Sequence, residues 1–403
     1  MARFSRRRIG DNPIRHAVRF ASLALSAAVL TGCSTGSSTS TTSAGAPAET
    51  NTRVNTDAST YVIDRDDIRE MGYRLDWQAI IGPGRLNGMK MVSLEGDALY
   101  GLDRRNVLTR IRTSDGAQMW TTPVGTPLEA VQGINAVAAT DRVYITAGGQ
   151  LYEVEAANGA AAGRQKLSKI ASTAPQQVGD NFVYGSTNGQ MIWHAYQIAF
   201  QFRAYQVAQS IKVQPRLYND LAVVVGNDGE VMVLDVDAGR QLWSKRLLDP
   251  VVAPPAIDQM AVYVTSEDQH VYAFDVSSGR QLWRRLFEVP LVDAPTVIEN
   301  DLYVHVPNAG LHCFEAVPFN KPAGELKWVC PDVSGTVIAQ RGDRLITWNA
   351  DNKVLAVVDQ RTGSKRHDVE LSDVLDIVTN GLMDPDIYVV SHDGRAQRLV
   401  MRP

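Results

Sequence analysis

The segment Val231-Met-Val-Leu-Asp235-Val-Asp-Ala-Gly239-Arg-Gln-Leu-Trp243 returns forty residues later as Val271-Tyr-Ala-Phe-Asp275-Val-Ser-Ser-Gly279-Arg-Gln-Leu-Trp283. A period of this length means one small supersecondary unit used repeatedly, none of which buries its apolar face alone. Each copy is preceded by an apolar strand and a tight turn, Ala222-Val-Val-Val-Gly-Asn-Asp-Gly229 and Ala261-Val-Tyr-Val-Thr-Ser-Glu-Asp268. Weaker copies run both ways. Upstream are Gly116-Ala-Gln-Met-Trp120, Asn158-Gly159 and Asn188-Gly189; downstream are Gly324-Glu-Leu-Lys-Trp328, Asp359-Gln-Arg-Thr-Gly363 and Ile387-Tyr-Val-Val-Ser-His-Asp-Gly394. With the two best copies, that makes eight.

Within each copy the strands are short and β-branched, with turn residues at regular spacing, and helical periodicity is confined to Asp64–Met71. This is the pattern of antiparallel strands joined by hairpins. The fold expected is all-β: an eight-bladed propeller of four-stranded antiparallel blades. The eighth copy ends at Pro403 after three strands, the last being Arg395 to Met401. Tyr73-Arg-Leu-Asp-Trp77-Gln-Ala-Ile-Ile81 has the apolar pattern of an outer strand and lies before the first full copy, so it is expected to complete the last blade and cover its open edge. Trp77, Trp120, Trp243, Trp283 and Trp328 read as structural blade-docking residues. Each packs an outer strand on the next blade, removing about 150–250 Å² from water. At about 25 cal/mol per Å² this is at most roughly 4–6 kcal/mol each. Blades two, three and seven depart from the pattern: Gly163 and His367 stand where Trp is expected, and blade three, with Trp193-His194 and the Tyr196–Ser210 stretch, is the least regular.

The chain begins differently. Arg3, Arg6, Arg7, Arg8, Arg15 and Arg19 precede an apolar run from Ala21 to Leu30, too short to cross a bilayer, and then Leu30-Thr-Gly-Cys33. This order resembles a bacterial lipoprotein signal over residues 1–32, with acylation at Cys33. Ser34, rather than Asp, favours the periplasmic face of the outer membrane over the inner membrane. Ser5-Arg6-Arg7-Arg8 resembles a twin-arginine signal, so the general secretory and twin-arginine routes both stay open. Residues 33–58, rich in Ser, Thr, Ala and Gly, form a flexible tether in this reading. Residues 59–403 form one propeller domain.

Formal charge is −4 over the whole chain, and the leader's six Arg and one Asp carry +5, so the remainder is near −9. A body of that sign argues against nucleic acid as a partner. Besides Cys33 there are only Cys313 and Cys330. They fall at offset positions on neighbouring strands. A disulfide and two buried free thiols both remain open, because Cα separations beyond about 7 Å cannot be bridged. His305 and His312 flank Pro307-Asn-Ala-Gly310; a four-residue loop there would make them cross-strand neighbours, most simply an ordinary sheet pair rather than a zinc site. Asp235, Asp275, Glu315 and Asp359 recur before turns, where a carboxylate caps backbone N–H groups.

The Asp-x-x-x-Gly-x-x-x-Trp spacing after Val-Tyr-Ala-Phe resembles the pyrroloquinoline-quinone-type propeller repeat over residues 73–403. That family includes quinoprotein dehydrogenases and the outer-membrane assembly lipoprotein BamB. The resemblance implies a membrane-anchored, non-enzymatic scaffold that binds envelope proteins, among them barrel-assembly machinery or unfolded outer-membrane clients, and is a monomer on its own. The alternative is an envelope propeller for a ligand or polymer. A quinoprotein dehydrogenase is the third class, but the adjacent Cys-Cys pair of such enzymes is missing and no residues stand out as catalytic, cofactor-binding or metal-binding; no cofactor is expected.

Overall fold

The computed structural model describes residues 61–82, 84–317 and 323–402. The leader, Cys33 and the tether lie outside them. The described chain forms eight four-stranded antiparallel sheets arranged as the blades of one propeller. Seven blades are built from four consecutive strands each, beginning with Met89–Glu95, Ala98–Asp103, Val107–Arg112 and Gln118–Pro123 in blade one. In blade eight the order is Val374–Thr379, Ile387–Ser391, Arg395–Met401 and then Tyr73–Ile80 as the outer strand. Tyr73 pairs with Met401 and Ile80 with Arg395. The N-terminal strand therefore closes the ring, and the edge of Arg395–Met401 is covered.

Middle strands are sandwiched between two neighbouring blades, so both faces are dry. Leu221–Val225 and Glu230–Asp235 accordingly read as continuous apolar runs, with Ala222 to Val225 and Val231 to Leu234 all buried. Outer strands face a neighbour on one side only and alternate, as in Phe200–Gln206.

Blade three is as regular in backbone as the others, against the sequence expectation. Its strands Gln176–Val178, Asn181–Gly185, Gln190–Ala195 and Phe200–Gln206 pair in order, because the turn through Ala199 at φ +54° does the work that glycine does elsewhere. The histidine expectation also needs correction. Val306 pairs with Gly310, so the loop is three residues long and the register moves by one. His305 lies opposite Leu311 and His312 opposite Val304, which places the two rings on opposite faces of the sheet. His305 Nδ1 is 2.6 Å from Asp293 Oδ2, and His312 Nδ1 is 3.1 Å from the Gly310 carbonyl oxygen. Cys313 and Cys330 are both free and buried. Cys313 pairs with Trp328 and Cys330 with Leu311, two positions apart along the strands. Burial holds the Cys313 thiol well above its ordinary pKa.

Candidate docking site

The seams between blades hold the ring together. Trp77, Trp120, Trp243, Trp283 and Trp328 occupy one position on the outer strands of blades eight, one, four, five and six. Each indole N–H donates to a backbone carbonyl of the next blade: Thr113, Ala156, Val276, Ala316 and Gln360, at 2.8–2.9 Å. Each ring also lies flat on a turn glycine. A Cβ at Gly279 would come within 2.6 Å of the Trp243 ring, and the residue's φ is +67°, so position and conformation both demand glycine. The turns are fixed in part by the recurring carboxylates. Asp235 accepts from the Ala238 N–H, Asp275 from Ser277 and Ser278, and Asp359 from Arg361 and Thr362. These bonds, with Arg366 beside Asp359 and Ser277 and Ser278 on Asp275, hold the three carboxyls below the ordinary Asp range. Glu315 is the exception and pairs with Lys327.

Three seams lack the outer-strand Trp, and each is sealed differently. Between blades two and three, where Gly163 stands at the Trp position, the rings of Tyr144, Phe182 and Tyr196 pack with centroids 4.6–5.2 Å apart. Between blades three and four, Arg203 stands at the Trp position and its guanidinium donates to the Ala238 carbonyl. Trp193, directly opposite Arg203 on the adjoining strand, supplies the missing indole bond, donating at 2.9 Å to the Val236 carbonyl, the equivalent acceptor. Between blades seven and eight, His367 Nε2 is 2.8 Å from Asp67 Oδ1 of the helix Arg65–Glu70, whose first turn is capped by Asp64. Ile63, Ile68 and Met71 fill that gap among Trp348, Val357 and Leu399.

With the seams closed, what remains available is on the rim, on the axis and in the connections between strands, where Leu86 and Leu128 are exposed. Most outer strands present charge outward: Arg240, Lys245 and Arg246 in blade four, Lys365, Asp368 and Glu370 in blade seven. Such charges discourage another strand from pairing. Blade one, whose outer strand Gln118–Pro123 has no charged residue, and blade three differ. On Phe200–Gln206 the outward positions are Phe200, Phe202, Ala204 and Gln206, with Phe200 58% and Phe202 46% exposed, and Ile198 in the preceding turn is 72% exposed. The one charged residue of this strand, Arg203, donates to the Ala238 carbonyl of blade four, and its guanidinium carbon lies 5.9 Å from the Phe202 ring centre. An outer-strand edge beside two exposed aromatic rings has the chemistry to which an extended apolar segment can add. The aromatic pair lies within Tyr196–Ser210, the stretch that departs most from the repeat. Its signal was the alternation Phe-x-Phe-x-Ala without an outward charge.

On the axis, the inner strands of blades one to four line a cavity of about 590 Å³. Its polar lining is Glu95, Gln132, Asn135, Gln176, Gln177 and Gln214, with Ser93. Burial raises the Glu95 carboxyl pKa, against the opposing hydrogen bond from Ser93. Pyrroloquinoline quinone is a polycarboxylate. No Lys or Arg is among the described residues lining the cavity, so they do not fit that group. Among the described residues no group of three or more His, Cys, Asp or Glu side chains is placed to hold a metal ion.

These blades and seams define a class, the eight-bladed propeller of the pyrroloquinoline-quinone repeat type. A family model described as outer membrane protein assembly factor BamB matches residues 104–197 and 183–400, and the chain belongs to that family. Its fold is similar to that of BamB from Moraxella catarrhalis, with a TM-score of 0.63 at 15% identity, covering 82% of this chain and 98% of that one. It is likewise similar to the computationally designed Ika8 protein, with a TM-score of 0.61 at 13% identity, covering 78% and 96%. At these identities the likeness is one of fold. Among curated proteins, none matches the chain in sequence.

Proposed function

We propose that this protein is a non-catalytic scaffold of the bacterial envelope, held at the periplasmic face of the outer membrane by acyl chains on Cys33, and that it acts in outer-membrane protein assembly. Membership of the assembly-factor family supports the role. The exposed Phe200–Phe202 edge supports a mechanism: an extended segment of a client or of the assembly machinery adds to blade three as a fifth strand, with main-chain hydrogen bonds giving affinity and alternate apolar side chains meeting the two rings. Deleting the gene lowers the level of outer-membrane barrel proteins, and Phe200→Glu with Phe202→Glu reproduces the loss at an unchanged level of the scaffold. Unaltered barrel levels in the deletion contradict the role. Cys33→Ala releases the mature protein from the membrane fraction.

A second reading draws on the axial cavity, whose amides suit a polar ligand such as a sugar unit of a wall polymer. Recovery of wall polymer rather than assembly partners from native membranes favours it.

A further inference from the structure

On the rim where blade four meets blade five there is a groove of about 390 Å³. Its floor is Tyr272 and Phe274, both buried, and its walls carry Lys245, Arg246 and Arg284 with Leu248 at the mouth. Among the described residues no carboxylate lines it. The acids around it lie outside the lining: Asp228 is 3.3 Å from Arg246, Glu230 pairs with Arg246 across the strands, and Asp268 accepts from the Tyr272 hydroxyl at 2.8 Å. Neither Lys245 nor Arg284 is in an ion pair among the described residues, and both are exposed.

Three cations gathered in one groove repel one another, in a chain whose body is near −9 by formal charge. The equivalent rim of blade one carries Thr121, Thr122 and Pro123, and that of blade six Val329, Cys330 and Pro331. The clustering is therefore not imposed by the repeat. Such a site has a positive potential that an anion relieves. Beside the cations stand two leucines in water, Leu248 at 86% exposure and Leu286 at 67%. A soluble anion makes no use of them. A membrane surface does: phosphates meet the cations while the leucines enter the acyl boundary beneath.

We propose that the blade four–five rim docks on an anionic membrane surface, with a phospholipid headgroup phosphate in the groove between Lys245, Arg246 and Arg284 and with Leu248 and Leu286 inserted beside it. This contact is separate from the blade-three edge and from the acyl anchor, so its failure leaves the assembly role standing. The test uses the full chain with Cys33→Ser, which carries no lipid. Vesicles of phosphatidylglycerol with phosphatidylethanolamine are compared with vesicles of phosphatidylcholine. Binding is expected to be at least about tenfold tighter to the anionic vesicles and to weaken with salt. Lys245→Gln, Arg246→Gln and Arg284→Gln together weaken it by roughly a hundredfold. Leu248→Asp with Leu286→Asp weakens it by about tenfold while leaving the salt dependence in place. The thermal midpoint of each variant, measured alongside, excludes unfolding as the cause; if the triple variant unfolds, the leucine pair carries the test. Equal binding to both vesicle types overturns the proposal. So does glycerol phosphate in solution binding as tightly as the vesicles, which makes the groove a small-anion site, and so does capture of a protein through these residues without vesicle binding.

Discussion

A tryptophan at one position, a glycine in the next blade and a carbonyl beside it form a three-part lock at five of the eight seams. Trp243→Ala or Trp283→Ala is expected to cost about 3–5 kcal/mol, read from denaturant unfolding. Trp243→Phe keeps part of the packing and loses the bond to Val276, costing roughly 1 kcal/mol for the bond alone. Gly279→Ala costs more than about 1 kcal/mol, since its backbone is left-handed and its Cβ would meet the Trp243 ring. Titratable residues add a pH signature of two signs. The Asp235, Asp275 and Asp359 carboxyls are lowered in the fold, so their stabilisation is complete above the unfolded value of about 3.9 and is lost as pH falls through the lower folded values. Glu95 is raised, so its ionised form opposes folding at neutral pH. Glu95→Gln therefore raises the thermal midpoint near pH 7, and the gain fades as pH falls below the unfolded value of about 4.3, where the wild-type carboxyl becomes protonated in both states.

Among the elements, the helix Arg65–Glu70 and the strand Tyr73–Ile80 show what repeats reveal and what they conceal. The strand was legible because Trp77 carries the outer-strand pattern and because the last copy lacks a strand. The helix was legible as a helix, from Asp64 to Met71, but its role was not. It seals blade seven because blade eight is assembled from both chain ends and has no turn between its third and fourth strands for an indole to rest on. That consequence of closure lies in no local motif. Ile68→Ala is accordingly expected to cost about 2–5 kcal/mol, by denaturant unfolding, although the residue lies before the first blade strand. Trp193 was missed for a related reason. It sits on the third strand rather than the fourth, and only its pairing with Arg203 shows that it reaches the acceptor the pattern assigns to an outer-strand indole. The histidine pair was misplaced by one residue because a loop length sets the register, and a shift of one turns a side chain to the other face.

Taken whole, the molecule is a ring in which every blade is fixed by two neighbours, so that function falls to what the seams leave exposed. The eight copies and their closure could be read from spacing alone. The exposed aromatic edge was legible only as the alternation Phe-x-Phe-x-Ala, which does not by itself tell the exposed face of an outer strand from a core face. Amide hydrogen exchange of the full chain, with and without a peptide copied from a membrane strand of an outer-membrane barrel, addresses ring and edge together. The amides of Tyr73–Ile80 bonded to Arg395–Met401 are expected to exchange slowly in both states, and the outward, unbonded amides of Phe200–Gln206 to change from fast to slow when the peptide is added. Fast exchange of Tyr73–Ile80, or protection by the peptide elsewhere with Phe200–Gln206 unaltered, contradicts the account.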